Sequence, residues 1–505
     1  MKSMRLFALA APVLLVLSAC GGGGGSGSTA VSNGGTTPPT TTTPTTPTTS
    51  TIVASATVQN RCEKPRSGNA TDQQGTLLNE QTWVRSWIDE TYLWYKEVPT
   101  NLLPQNYSTP VAYFDVLKTS ATTASGKPKD QFHFTYATAE WEASLKGVEF
   151  GYGFLLGIER NTPPRRAVIA MIEPGSPAAR AGLQRGDVLQ SVDGVDFVNG
   201  NGQANVDTLN AGLSPSTIGT HNLVFSRNGS TVSTSLTAAN VETTAVQNQR
   251  IIDTPTGKVG YLTFNTHNNV AERQLITAMQ QFQAAGITDL VLDVRYNGGG
   301  LLDIANELAY MIAGPQATSG KTFEQLVFND KTRAEAPMLF RSRSVGFAAP
   351  EPVTANQALP YLGLKRVTLL TTGSTCSASE SIINGLRGVD VEVNLIGGTT
   401  CGKPYGFYPQ PNCGTTYFAV QFKGVNAKGF GDFADGMSPT CSVADDYAHA
   451  LGDSNEAMLA AALRYRTTGS CAPATGMSRL LATMESSESV AMRLLRPQYK
   501  EIAVR

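Results

Sequence analysis

Leu290-Val291-Leu292-Asp293-Val294-Arg295-Tyr296-Asn297-Gly298-Gly299-Gly300-Leu301 sets the architecture of the larger part of this chain. Residues 290–294 are a short apolar run of strand length. The glycines after it make a turn, and residues around 301–312 read as a helix. The same alternation continues on both sides. Upstream, a strand at 259–264 precedes a helix whose Leu275, Ile276, Met279 and Phe282 follow helical spacing and which Gly286 ends. Downstream, a strand at 367–371 leads into a helix near 379–387, and a strand at 391–396 follows. Repeated β-α-β with short connections implies right-handed crossovers and a mainly parallel sheet. Ligands then gather at the carboxyl ends of its strands. The whole chain reads as α/β and multidomain, with this βα-repeat region spanning 245–475.

Residues 148–240 have a different texture, short strands broken by Gly and Pro turns. They contain Val168-Ile169-Ala170-Met171-Ile172-Glu173-Pro174-Gly175-Ser176-Pro177-Ala178, then Ala181-Gly182-Leu183 and Gly186-Asp187-Val188-Leu189. This β-rich segment resembles a PDZ domain of the bacterial protease type. The resemblance puts the carboxylate-binding loop at Gly151-Tyr152-Gly153-Phe154, with Phe154 and Leu156 lining a pocket for a terminal side chain. Glycines let backbone N–H groups converge on an anion, and the adjoining strand edge pairs with an extended peptide.

Residues 61–147 read as a small helical cap. Trp83, Val84, Trp87, Ile88, Leu93 and Trp94 fall near one face, and a wet surface helix would not spend three tryptophans there. Before it, residues 20–60 are a Gly-, Thr- and Pro-rich stretch without a charge, expected to stay extended as a tether. Residues 1–19 read as a signal peptide, with Lys2 and Arg5 before an apolar run and small residues at the cut. The ending Leu17-Ser18-Ala19-Cys20 resembles a bacterial lipobox. That implies lipidation of Cys20 and a membrane anchor in the cell envelope, with Gly21 favouring the outer membrane, facing the periplasm. Residues 476–505 are left as a C-terminal tail.

The chain has 505 residues, 41% hydrophobic and 16% charged, enough for two or three cores. A net charge of −1 argues against nucleic acid as a partner, because phosphate contacts need a basic face. Four scattered histidines and no HExxH or CxxC pattern give no metal-ligand motif, and no cofactor is expected. With Cys20 assigned to lipid, six cysteines remain, and an exported chain tends to pair them. Of the 15 possible pairings, the one expected is Cys376–Cys401, Cys413–Cys441 and Cys62–Cys471.

Three pieces carry the chemistry: the turn Asp293 to Gly300, then Thr375-Cys376-Ser377-Ala378-Ser379-Glu380, then Gly397-Gly398-Thr399-Thr400-Cys401-Gly402-Lys403. One helix and one strand separate Ser377 from Lys403, so both return to the same sheet edge. In this order behind a PDZ-like module, the pieces resemble the carboxyl-terminal processing (tail-specific) proteases, serine endopeptidases with a Ser–Lys dyad. The resemblance covers 80–465. It implies Ser377 as nucleophile, Lys403 as general base, and the N–H groups of Ala378 and Gly299 as the oxyanion hole. It also implies polypeptide substrates with free C-termini.

The chemistry needs these residue types. A serine hydroxyl is a poor nucleophile until a neighbour takes its proton. A lysine does so only when neutral, and burial in an apolar pocket favours that form. Glycines let an N–H approach the oxyanion without Cβ obstruction. Asp293 and Arg295 read as supports for the turn. One departure stands out: the family often carries Gln or Glu four residues after the lysine, and here that position is Phe407. Either Gln410 takes the role from a shifted loop, or Phe407 desolvates Lys403. Cys376 and Cys401, flanking the dyad, are a second departure; a disulfide between them would fix the Ser–Lys distance.

Plainer readings compete. Ser377 or Ser379 with Glu380 is a common N-cap pattern, and a lysine after glycine is usually solvated. A non-catalytic PDZ peptide-binding lipoprotein would use the same sequence. A Ser–His hydrolase would take His267 as its base, although no Gly-x-Ser-x-Gly elbow accompanies it. Cys376 would serve as a thiol nucleophile only if unpaired.

Overall fold

The computed structural model describes residues 52–471. The expected signal peptide, Cys20, most of the tether and the tail at 476–505 lie outside them. The βα-repeat region forms a six-stranded sheet in the order Val246–Thr254, Gly257–Phe264, Asp289–Asp293, Arg366–Thr371, Glu392–Gly397 and Cys441–Ser442. All neighbours pair in parallel except the first two. Alternate residues explain the unbroken apolar runs. Leu262, Leu292, Leu369 and Leu395 face helices Ala271–Ala285, Leu302–Thr318 and Ala378–Gly388. Tyr261, Val291, Leu370 and Ile396 face helix Ala457–Thr468 on the other side. A parallel sheet covered on both faces has no polar side to alternate with. The helical run after the glycine turn is interrupted at Gly314, whose φ of 71° no helix accommodates.

The PDZ-like module has its own core around Leu156, Ile169, Val192, Leu223 and Phe225. Its sheet runs Ser230–Thr237, Thr220–Arg227, Val188–Val192, Arg166–Ile172, Phe154–Arg160, so the last strand is an edge.

The helical cap is less separate than its sequence suggests. Helix Leu77–Thr91 buries Trp83, Val84, Trp87 and Ile88. The two indoles stack at 5.5 Å, and Trp83 lies 5.2 Å from Tyr417, far along the chain. Strand Phe134–Ala137 pairs with Thr415–Phe418, so cap and sheet region share one core. The tether also ends earlier than residue 60. Ser55 donates its N–H and Oγ–H to the Glu90 carboxylate at 2.7 and 2.5 Å.

Cys376 pairs with Cys401 as expected, but the other two bonds are Cys62–Cys413 and Cys441–Cys471. The corrections follow from packing. Asn60 N–H donates to Asn412 Oδ1, which lays Cys62 beside the Gln410–Phe418 hairpin. Cys441 sits on the sheet edge, and helix Ala457–Thr468 leads to its partner Cys471.

Candidate active site

The three motifs meet at the carboxyl ends of adjacent parallel strands, and backbone bonds join them. Cys376 N–H and Ser379 Oγ–H both donate to the Asn297 carbonyl, each at 3.1 Å. Thr375 Oγ1 donates to Val294 O at 2.9 Å, and Thr372 Oγ1 to Arg295 O. Cys401 N–H reaches Thr375 O at 3.0 Å, and the Cys376–Cys401 bond adds a covalent strap between the same two turns.

Ser377 precedes helix Ala378–Gly388 with φ 64° and ψ −119°, a conformation side chains rarely adopt and one that costs of order 1–3 kcal/mol. It is fully buried, as is Lys403 at 1% exposure. Ser377 holds the N-cap position of its helix, with Glu380 accepting its N–H at 2.9 Å. The Ala378 N–H, first of the helix, has no hydrogen-bond partner among the described residues.

Lys403 lies among aromatic rings: Nζ is 4.2 Å from the Phe407 centroid and 5.1 Å from that of Phe132. Of the two roles open at position 407, desolvation is the one with contacts. Gln410 lies in strand Gln410–Asn412 and its carboxamide makes no hydrogen bond among the described residues. Phe132, from the N-terminal region, carried no signal in the sequence.

The glycine turn is held internally. Asn297 Oδ1 accepts from His267 Nδ1 at 3.1 Å and from Gly299 N–H at 3.0 Å, while Asn297 Nδ2 donates to Phe264 O at 2.9 Å. Gly299 N–H, expected as an oxyanion donor, is therefore engaged, whereas the N–H groups of the half-buried Gly298 and the buried Gly300 make no hydrogen bond among the described residues. Gly300 has φ 138°, and a Cβ there would lie 2.6 Å from the His267 carbonyl oxygen.

His267 is thus a support for the turn, and its Nε2 makes no hydrogen bond among the described residues. Burial pulls its pKa from the ordinary 6.5 down to about 3. An unfolded histidine binds a proton below about 6.5, whereas this one stays neutral in the fold until about 3. Stability therefore falls as pH drops through that window. His267→Gln is expected to flatten the acid side of a melting-temperature profile between those values; an unchanged slope would show that other groups set it.

Arg295 proves a deeply buried support. Its guanidinium is bonded to Asp293 at 2.9 Å, Asp445 at 2.7 Å and Glu456 at 2.9 Å. Tyr261 donates to Asp293 Oδ2 at 2.7 Å. From the PDZ-like module, Arg185 reaches Asp445 at 2.6 Å and Tyr296 Oη at 2.7 Å, tying that module to the glycine turn. Sequence reading missed Asp445 and Glu456, which stand in no motif.

At the other proposed site, Tyr152 is buried, with its hydroxyl donating to Gly212 O at 2.9 Å and its carbonyl accepting from Ala178. The N–H groups of Tyr152 and Gly153 make no hydrogen bonds among the described residues. Gly151 pairs with Ala239, Phe154 stands 5.7 Å from the Tyr152 ring, and Leu156 is in the module's core. Cys376, Glu380 and Cys401 would be close enough to share an ion, but both sulfurs are spent in the disulfide and offer no thiolate.

Residues 258–418 match the model of peptidase family S41, residues 79–136 its N-terminal domain, and residues 168–207 a PDZ domain. In these three stretches the chain is similar to peptidase family S41 and to a PDZ domain. It is 28% identical over 276 residues to a carboxyl-terminal-processing protease of a Picosynechococcus species, covering 52% of this chain and 56% of that one. Against the chloroplastic C-terminal processing peptidase of Tetradesmus obliquus it is 28% identical over 249 residues, covering 46% and 50%. The chain thus spans about half the length of the curated relatives it matches. Among solved structures, a Bacteroides fragilis chain titled "Putative S41 protease" superposes with a TM-score of 0.56 at 26% identity, covering 77% of this chain and 97% of that chain.

Proposed function

We propose that this chain is a serine endopeptidase of the cell envelope, held by lipid on Cys20 at the outer membrane, that captures polypeptide C-termini and cleaves with Ser377 and Lys403. The observation that carries the reading is the meeting of three loops at one sheet edge, with the strained Ser377 and the buried Lys403 on adjoining turns. The Lys403 amine takes the Ser377 hydroxyl proton as Oγ attacks the scissile carbonyl. The oxyanion is received by the Ala378 N–H, with the Gly298 N–H as the second donor to hand. The Lys403 ammonium then gives its proton to the leaving amine, and water releases the acyl group by the same route reversed. The rings of Phe407 and Phe132 keep water from the amine.

The PDZ-like module supplies capture. The N–H groups of Tyr152 and Gly153 receive the terminal carboxylate, and edge strand Phe154–Arg160 pairs with the residues before it. Incubating the protein with tagged polypeptides and locating new termini by mass spectrometry tests the reading; intact polypeptides would leave a binding lipoprotein. A substrate with an amidated C-terminus loses charge-assisted bonds of about 1.5–3 kcal/mol. Its kcat/KM is expected to fall roughly tenfold or more, and equal rates for the two substrates would discredit capture by the terminus.

A further inference from the structure

Ser377 and Lys403 share one side chain besides any direct contact. We infer that Glu380 is the positioning residue of the dyad, its carboxylate holding the nucleophile turn and the lysine turn in register through their backbone N–H groups. The inference rests on the Ser377–Lys403 reading above.

Glu380 lies in the first turn of helix Ala378–Gly388 and is fully buried. Its Oε2 accepts from Ser377 N–H at 2.9 Å and from Lys403 N–H at 2.8 Å. Its Oε1 accepts from Gly402 N–H at 2.9 Å and from Thr400 Oγ1–H at 2.5 Å. A capping glutamate satisfies its own helix. Here three of the four donors belong to the other loop, which is more than a cap requires. A carboxylate offers two oxygens that each accept twice, and no other side chain of this size does. Burial pushes Glu380 above the ordinary carboxylate value, and all four donors oppose that shift.

Both turns need holding. Ser377 has its left-handed φ, and Gly402 has φ 85° with the Ala434 carbonyl oxygen where a Cβ would be. The disulfide ties the residue before Ser377 to the second residue before Lys403, so it fixes the loops but not the last peptide of each. Glu380 bonds those last peptides directly.

Glu380→Gln keeps the volume and turns an NH₂ toward backbone N–H donors, breaking one side of the bridge. A misplacement of about 1 Å costs on the order of 10²-fold in rate. The E380Q protein is expected to lose about that factor in kcat and in acylation of Ser377 by a fluorophosphonate. Its KM and affinity for a C-terminal peptide should stay near the parent's, while its melting transition falls modestly because buried donors are left without an acceptor. Parent-like kcat in E380Q would overturn the inference. So would parallel loss of kcat, peptide affinity and melting transition, which marks a purely structural role. If E380Q does not fold, Thr400→Val, which removes one of the four donors, carries the test: a severalfold fall in kcat at unchanged KM supports the inference and an unchanged kcat overturns it. A parent protein that neither cleaves nor reacts with the fluorophosphonate refutes the dyad itself, an outcome distinct from an active E380Q.

Discussion

Cleavage by the Ser377→Ala protein is expected to fall at least about 10⁴-fold, as removal of a nucleophile does in enzymes that work through a serine. Its melting transition should match the parent's, because a hydroxyl is exchanged for hydrogen without emptying the site. Lys403→Ala should fall comparably. Lys403→Arg is the sharper variant, since a guanidinium keeps the charge and length but does not deprotonate. A mere charge requirement would leave Lys403→Arg active; a base requirement leaves it dead. Each is read from substrate loss by mass spectrometry, with the C-terminal peptide bound as a check that the PDZ-like module is intact. Cleavage surviving both Ser377→Ala and Lys403→Arg would end the dyad reading.

The largest effect on stability is expected from Arg295→Met. The guanidinium is fully buried among Asp293, Asp445 and Glu456, and of its three ion pairs its removal leaves Asp445 still paired with Arg185. Breaking a buried pair by deleting one partner costs about 3–5 kcal/mol, because the charge left behind stays desolvated. The exposed Lys428–Asp390 pair is the contrast: its loss is worth about 0–1 kcal/mol in water. A urea titration separates the two, with a large drop in midpoint for Arg295→Met and almost none for Lys428→Met. Equal midpoints would mean that the buried cluster relaxes or hydrates, and that the glycine turn is supported elsewhere.

Much of the candidate site was legible because its signals are local. The turn Asn297-Gly298-Gly299-Gly300, the Ser377–Glu380 helix start and the Gly402-Lys403 pair each come directly after a strand, and strand period and helix spacing mark those junctions in the chain itself. The alternation also carries the parallel sheet, since residues of one strand must serve two covered faces. The pairing Cys376–Cys401 was within reach for the same reason, because one αβ unit spans it.

The amino-acid string determined the order of strands and helices and the residue types available at the sheet's carboxyl edge. Only the tertiary structure decided which distant groups complete the site. Asp445 meets Arg295 across 150 positions, and Cys62 meets Cys413 across 351. Phe132 closes on Lys403 from another part of the chain, and Asn297 claims the Gly299 N–H. The physical reason is that periodicity reports what a residue does within its own element. Burial of charge, pairing of sulfur and satisfaction of a backbone donor depend on neighbours that only the packed core supplies.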